Sequence, residues 1–257
     1  MNDLRFIGII PARYASTRFP GKPLAQLGGK CVIERVYRQV KKVLDRVIVA
    51  LDDERIAQAV EAFGGEYVMT RTDHKSGTDR CMEAYMKNGG NEDVIINIQG
   101  DEPFIQPSQL RAIMQCFDDE TCDIATLVKP FDPQRSFEEL QNPNSPKVVV
   151  DRNWNAKYFS RSVIPHLRGV DAKMWPAKHQ YFTHLGMYAY RAHVLEAITS
   201  LPQSPLEIAE SLEQLRWLEN GFTIKVGVSN VETIGIDTPQ DLAHAETFLK
   251  SLNQENK

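Results

Sequence analysis

From the N-terminus, the chain alternates short, mainly apolar runs with stretches in which apolar residues recur every three or four positions. Residues 5–10, 46–51, 66–70, 93–99 and 123–128 form the runs. Continuous apolar runs of this length predict strands buried on both faces of a parallel sheet. Between them, 31–43 carries Val32, Ile33, Val36, Val40 and Val43 at helical spacing. Residues 53–63, 78–87 and 107–117 predict three further helices, the first stopped by Gly64-Gly65. Repeated strand–helix–strand units predict an α/β fold with a mostly parallel sheet covered on both faces. Ligands of such sheets bind beyond the C-terminal ends of the strands. That rule selects the loops at 11–23, 71–78 and 100–107.

The pattern changes between 130 and 183. Prolines recur at 130, 133, 143, 146, 165 and 176, and strand-like runs at 147–151 and 156–160 flank the turn-prone Asn153-Trp154-Asn155. This predicts a smaller β-rich lobe, 130–183, inserted into an α/β domain formed by 1–129 and 184–257, with 185–190 a strand returning to the main sheet. Ser204-Pro205-Leu206-Glu207 is a capping pattern. It predicts one helix to Asn220, stopped by Gly221, with Leu206, Ile208, Ala209, Leu212, Leu215 and Leu218 as its core stripe. A strand over 223–228 follows. Thr238-Pro239-Gln240-Asp241 opens a last helix to about residue 252.

Composition narrows the function. A chain of 257 residues accommodates one large domain with an inserted lobe. Its 30 Lys and Arg against 34 Asp and Glu give a net charge of −4, which argues against a nucleic-acid polymer as partner, since such binders cluster cations against phosphates. The longest apolar runs fall far short of the roughly 20 residues needed to span a bilayer, so no membrane association is expected. The apolar start at 6–10 is too short for an export signal. Four cysteines without a C-x-x-C pair predict free thiols in a reducing cytoplasm and no zinc site.

Three selected loops and one further motif carry candidate chemistry. The loop PARYASTRFPGKPL (11–24) places Arg13, Arg18 and Lys22 after the first strand, with Ser16 and Thr17 as hydroxyl donors and Gly21 permitting close backbone approach. Guanidinium forks and an ammonium suit a polyphosphate; the spacing is neither a Walker loop nor a dinucleotide fingerprint. In NIQGDEP (97–103), Asp101 follows a buried strand, where a carboxylate can hold Mg²⁺ together with substrate phosphates; a simple Gly-Asp turn is the alternative. In TDHKSGTDR (72–80), Ser76 and Arg80 stand where a base or sugar could be held, or where Ser76 or Thr78 merely caps a helix. Asp237 immediately precedes a helix start, which suits a carboxylate for dipole reasons alone as well as for catalysis. The six histidines show no metal-ligand spacing and read singly as surface or core residues. No G-x-S-x-G elbow is present.

These motifs, with YFSR (158–161), HLGMY (184–188), SPLE (204–207), LEQLR (212–216) and DTP (237–239), resemble in order the 3-deoxy-manno-octulosonate cytidylyltransferase family. Phe19 departs from the leucine more usual there. The resemblance implies a Rossmann-like, GT-A-like nucleotidyltransferase. It would transfer CMP from CTP to the anomeric hydroxyl of 3-deoxy-D-manno-octulosonate (Kdo), releasing pyrophosphate, with Mg²⁺, for lipopolysaccharide biosynthesis. It also implies a cytoplasmic homodimer paired through the inserted lobe. Arg13, Lys22, Asp101 and Asp237 would be catalytic, the two aspartates holding the metal. Pro11, Ala12, Arg13, Arg18, Lys22, Ser76, Arg80 and Gln99 would bind the nucleotide. Gln99, Arg161, His184, Tyr188, Glu213 and Gln214 would bind the sugar, with Arg161 facing its carboxylate. A transferase for another acidic sugar, such as amino-Kdo or sialic acid, and a nucleotide-sensing protein without turnover are the competing expectations.

Overall fold

The computed structural model describes residues 4–231 and 234–255, the side chains of 253–255 excepted. In chain order the elements are β1 (Phe6–Ala12), β2 (Gln26–Leu27), β3 (Lys30–Cys31), α1 (Val32–Val40), β4 (Arg46–Leu51), α2 (Glu54–Ala62), β5 (Tyr67–Met69), α3 (Gly77–Lys87), β6 (Val94–Asn97) and α4 (Pro107–Gln115). They continue with β7 (Ile124–Pro130), α5 (Phe137–Leu140), β8 (Lys147–Val150), β9 (Ala156–Ser160), α6 (Trp175–Lys178), β10 (Phe182–Arg191) and α7 (Ala192–Thr199). The last are α8 (Pro205–Glu210), α9 (Gln214–Glu219), β11 (Ile224–Val228) and α10 (Pro239–Glu255). The fold is mixed α/β with a mostly parallel central sheet, as the apolar runs predict.

Two compact units emerge, one of 3–110 with 233–257, the other centred on 111–232. The expected boundaries lay instead at 129/130 and 183/184. The physical reason is pairing: β7 joins β10 and β11 in one ladder, which keeps these strands with the lobe.

In the first unit β1 runs parallel to both β4 and β6, and β5 extends the sheet beyond β4. Ile7, Ile9 and Ile10 are fully buried on successive faces of β1, which is why the run lacks alternation. Each such side chain contributes roughly 1.5–3 kcal/mol relative to exposure. Ala12 pairs with Leu51 at the end of the β1–β4 register, so the 11–24 loop and Asp52 leave the sheet at one edge. A hairpin, β2–β3, turns through Gly28 and Gly29 at φ 54° and 79°; this left-handed pair suits a two-residue turn and was not expected from the pattern. α10 packs Leu242, Ala245 and Leu249 into an apolar cluster with Leu27, Val32, Phe104 and Ile236, and Phe19 lies against it.

In the second unit β7 pairs antiparallel with β10 and parallel with β11, and β8 pairs antiparallel with β10 and β9. Phe131, Leu140, Trp175 and Tyr181 form a separate core there. The single helix expected over 204–220 is instead two, α8 and α9, broken at Ser211 in the left-handed conformation (φ 51°, ψ 49°). The reason lies in Arg161, whose Nε and Nη2 bond the carbonyls of Glu210 (2.6 Å) and Ser211 (3.1 Å). Carbonyls that would propagate the helix are thus diverted. The break exposes Leu206, Ile208 and Ala209, so half of the expected core stripe is surface, while Leu212 and Leu215 remain buried.

Candidate active site

A cavity of about 360 Å³ opens at the C-terminal edge of the first unit's parallel strands. This is where a sheet of this kind places its ligands. Pro11, Ala12, Arg13, Arg18, Lys22, Ser76, Arg80, Gln99, Asp101 and Asp237 all line it. The expected nucleotide and metal residues therefore converge, although they come from four separate segments.

The convergence has a local cause in each segment. Gly21, at φ 71°, lets the 11–24 loop fold back so that its N–H bonds the Tyr14 carbonyl at 2.9 Å, and Lys22 follows directly. The Ile236 N–H bonds the Asp101 carbonyl at 2.9 Å, and the Ile236 side chain is fully buried. That bond sets Asp237 beside Asp101. Lys22 Nζ donates to Asp101 Oδ2 at 2.6 Å and to Asp237 Oδ1 at 3.1 Å, and Arg18 Nη2 lies 3.2 Å from the same Asp237 oxygen. Asp241 accepts from the N–H groups of Asp237 and Thr238, completing the cap of α10. Gly100 is held so close to the end of β1 that a Cβ there would lie 2.7 Å from the Pro11 carbonyl oxygen.

Ser76 caps α3, its Oγ accepting the Asp79 N–H at 3.1 Å, so the capping role foreseen for it holds while it also lines the cavity. Arg80 is buried, donating to Thr70 Oγ1 at 2.6 Å and Asp52 Oδ2 at 2.9 Å. Asp52 also accepts the Tyr14 N–H at 3.1 Å. It thereby joins the first loop to the third. Sequence reasoning missed Asp52, yet the signal was available: like Asp101, it is a carboxylate just past a buried strand. His74 and Lys75, within the 72–80 motif but given no role of their own there, also stand in the wall. Burial and the adjacent Asp101 charge push the Glu102 carboxyl up to about 7.

The remaining expected sugar residues lie in the second unit. His184 is half-buried, and desolvation lowers its pKa to about 3 and leaves it neutral, with Nε2 2.9 Å from Thr126 Oγ1. Its ring is 5.2 Å from that of Tyr188, which packs edge-on against Trp217 at 5.0 Å. Among the described residues the buried Gln214 Nε2 has no hydrogen-bond partner, and Glu213 accepts from Arg216 at 2.8 Å. The Arg161 guanidinium is bonded to the carbonyls of Pro143, Glu210 and Ser211.

A polyphosphate-sized cavity with five cations, Arg13, Arg18, Lys22, Lys75 and Arg80, and two carboxylates on an α/β sheet defines a nucleotide-binding enzyme site. A family model described as Cytidylyltransferase matches residues 7–233. The chain is 67% identical over 248 residues to a 3-deoxy-manno-octulosonate cytidylyltransferase of Bacteroides thetaiotaomicron, covering 96% of this chain and 99% of that one. It is 68% identical to the protein of that name from Phocaeicola vulgatus, covering 96% and 98%. A solved CMP:2-keto-3-deoxy-manno-octonic acid synthetase complexed with CTP superposes with TM-score 0.88 at 42% identity, covering 96% and 99%. A 4-diphosphocytidyl-2C-methyl-D-erythritol synthase from Anaerococcus prevotii shares the fold alone, with TM-score 0.57 at 13% identity over 96% of this chain and 99% of that one. The chain belongs to the 3-deoxy-manno-octulosonate cytidylyltransferase family.

Proposed function

We propose that the chain transfers CMP from CTP to the anomeric hydroxyl of Kdo, releasing pyrophosphate and supplying an activated sugar for lipopolysaccharide biosynthesis. The observation that carries this reading is the meeting of Asp101, Lys22 and Asp237 beside Arg18, on a chain of this family. The anomeric oxygen forms a bond to the α-phosphorus as the bond to the β-phosphate oxygen breaks. Such a transfer depends mainly on positioning and charge stabilisation.

Arg13, Arg18 and Lys22 hold the triphosphate and stabilise charge on the departing pyrophosphate. Pro11, Ala12, Ser76, Arg80 and Gln99 hold the nucleoside. Arg80, fixed by Asp52 and Thr70, acts largely by bracing the wall. The donor set fits Mg²⁺: two carboxylates close enough to share one ammonium match the one or two carboxylates that this ion takes beside substrate phosphates. Asp101 and Asp237 would hold it. Bound there, Mg²⁺ neutralises phosphate charge and lowers the pKa of a coordinated hydroxyl.

Kdo recognition we assign to Gln99, Arg161, His184, Tyr188, Glu213 and Gln214. Gln214 Nε2, buried and without a partner among the described residues, supports a polar ligand, since buried polar groups otherwise find partners. The protein would act in the cytoplasm, where its four free, buried cysteines stay reduced. We also propose a homodimer paired through 130–183, where Val170 and Met174 are exposed. Among the described residues no helix is long and apolar enough to cross a membrane.

Replacing Asp101 by Ala tests the metal assignment. Turnover should be lost at every Mg²⁺ concentration while CTP still binds; near-normal kcat would remove Asp101 from that role.

A further inference from the structure

The wall formed by the loop after β5 contains a histidine whose hydrogen-bonding state is fixed from behind. His74 Nε2 bonds Glu83 of α3, and its side chain is 6% exposed. Glu83 also accepts from Lys87 Nζ at 2.7 Å and from the Arg71 N–H at 3.1 Å. Burial pushes the Glu83 carboxyl up, but Lys87, His74 and the Arg71 N–H outweigh it and hold it down to about 2. Glu83 is therefore a carboxylate, which only accepts. His74 Nε2 must carry the hydrogen, and in the neutral ring Nδ1 is then a bare acceptor. Nδ1 makes no hydrogen bond among the described residues, and His74 lines the cavity that Arg13, Arg18 and Lys22 line.

The charged side chains on this cavity are differently equipped, while the hydroxyls of Ser16, Thr17 and Ser76 can donate as well as accept and so do not by themselves tell an amino group from a carbonyl. Arg80 is a donor turned to Asp52 and Thr70, and the carboxylates of Asp101 and Asp237 are turned to Lys22. The cations offer donors only. Cytosine and uracil differ at C4 and N3: cytosine presents an exocyclic amino donor where uracil presents a carbonyl acceptor, and a bare N3 where uracil carries N3–H.

We propose that His74 is a specificity-determining residue that reads the nucleotide base, its Nδ1 accepting from the exocyclic amino group of cytosine and opposing the carbonyl of uracil. Glu83 is the positioning residue that sets the tautomer. This inference rests on the assignment of the cavity to the nucleotide. A site built to bond one polar group rejects the analogue that cannot supply it.

The test is the ratio of kcat/KM for CTP over UTP, read as pyrophosphate release with Kdo and Mg²⁺. The unaltered enzyme should favour CTP strongly. His74→Phe, which keeps a ring but no acceptor, should lower the ratio about 10-fold or more, as for losing one buried hydrogen bond. Glu83→Ala, which frees the ring to take either tautomer, should lower it in the same direction; the same ratio measured as equilibrium CTP and UTP binding serves if His74→Phe folds poorly. A merely structural role would weaken both nucleotides alike, so an unchanged ratio in both variants overturns the proposal, as does equal use of CTP and UTP by the unaltered enzyme. Arg18→Ala separates the underlying assignment. It should weaken both nucleotides equally, whereas no effect on either removes the cavity as the nucleotide site, and this inference with it.

Discussion

Replacing Asp52 by Ala probes how the site is held together. Asp52 and Arg80 are nearly inaccessible, with side chains 7% and 4% exposed and joined at 2.9 Å. Arg80 also holds Thr70, and Asp52 also holds the Tyr14 N–H. Deleting Asp52 leaves a buried guanidinium without its counter-charge and an N–H of the phosphate loop without its acceptor. Breaking one side of a buried pair costs about 3–5 kcal/mol. For a chain of this size that corresponds to a fall in Tm of roughly 6–20 °C. Thermal unfolding followed by circular dichroism, together with urea midpoints, measures it. The double variant Asp52→Ala/Arg80→Met should be more stable than Asp52→Ala alone, because the stranded charge is gone. If the two substitutions simply add, or Asp52→Ala shifts Tm by less than about 2 °C, the buried pair is not what braces the two loops.

Two further substitutions test neighbouring claims. Gly100→Ala places a Cβ 2.7 Å from the Pro11 carbonyl oxygen, which forces the Asp101 loop away from β1; kcat/KM for CTP should fall about 10–100-fold, as for a displacement near 1 Å, and steady-state kinetics with unchanged values would show that the loop yields freely. Glu102 has a folded pKa near 7 against an ordinary 4.5, so the folded state binds its proton more tightly and stability should decline as pH rises between those values. Glu102→Gln should flatten that decline and leave the metal-free protein more stable at pH 8 by on the order of 1–2 kcal/mol, while parallel urea-stability profiles for both proteins would contradict the assignment.

The parallel half of the fold was legible because its strands are buried on both faces, so apolar runs such as that around Val47 and Ile48 announce them. The site was legible for a related reason: β1 and β6 end in loops whose cations and carboxylates have no core to serve. Asp52 was hidden because it lies in an ordinary-looking Asp52-Asp53 pair, one member of which does cap α2. The break at Ser211 was hidden because its cause, Arg161, is 50 residues away in sequence. Local helix signals at Ser204 and Glu207 were correct, and the capping box forms, but no local pattern reports carbonyls captured by a distant guanidinium. The grouping of β7 and β10 with the lobe in one compact unit was not legible because β10 pairs with β7 across the intervening chain, a long-range contact that composition does not encode.

The most direct measurement of the central claim is pyrophosphate release from CTP with Kdo, amino-Kdo and sialic acid as acceptors, each with and without Mg²⁺. The account predicts rapid, Mg²⁺-dependent release with Kdo and far slower release with sialic acid. Release with another acid but not with Kdo, or tight CTP binding with no release on any acceptor, would contradict it.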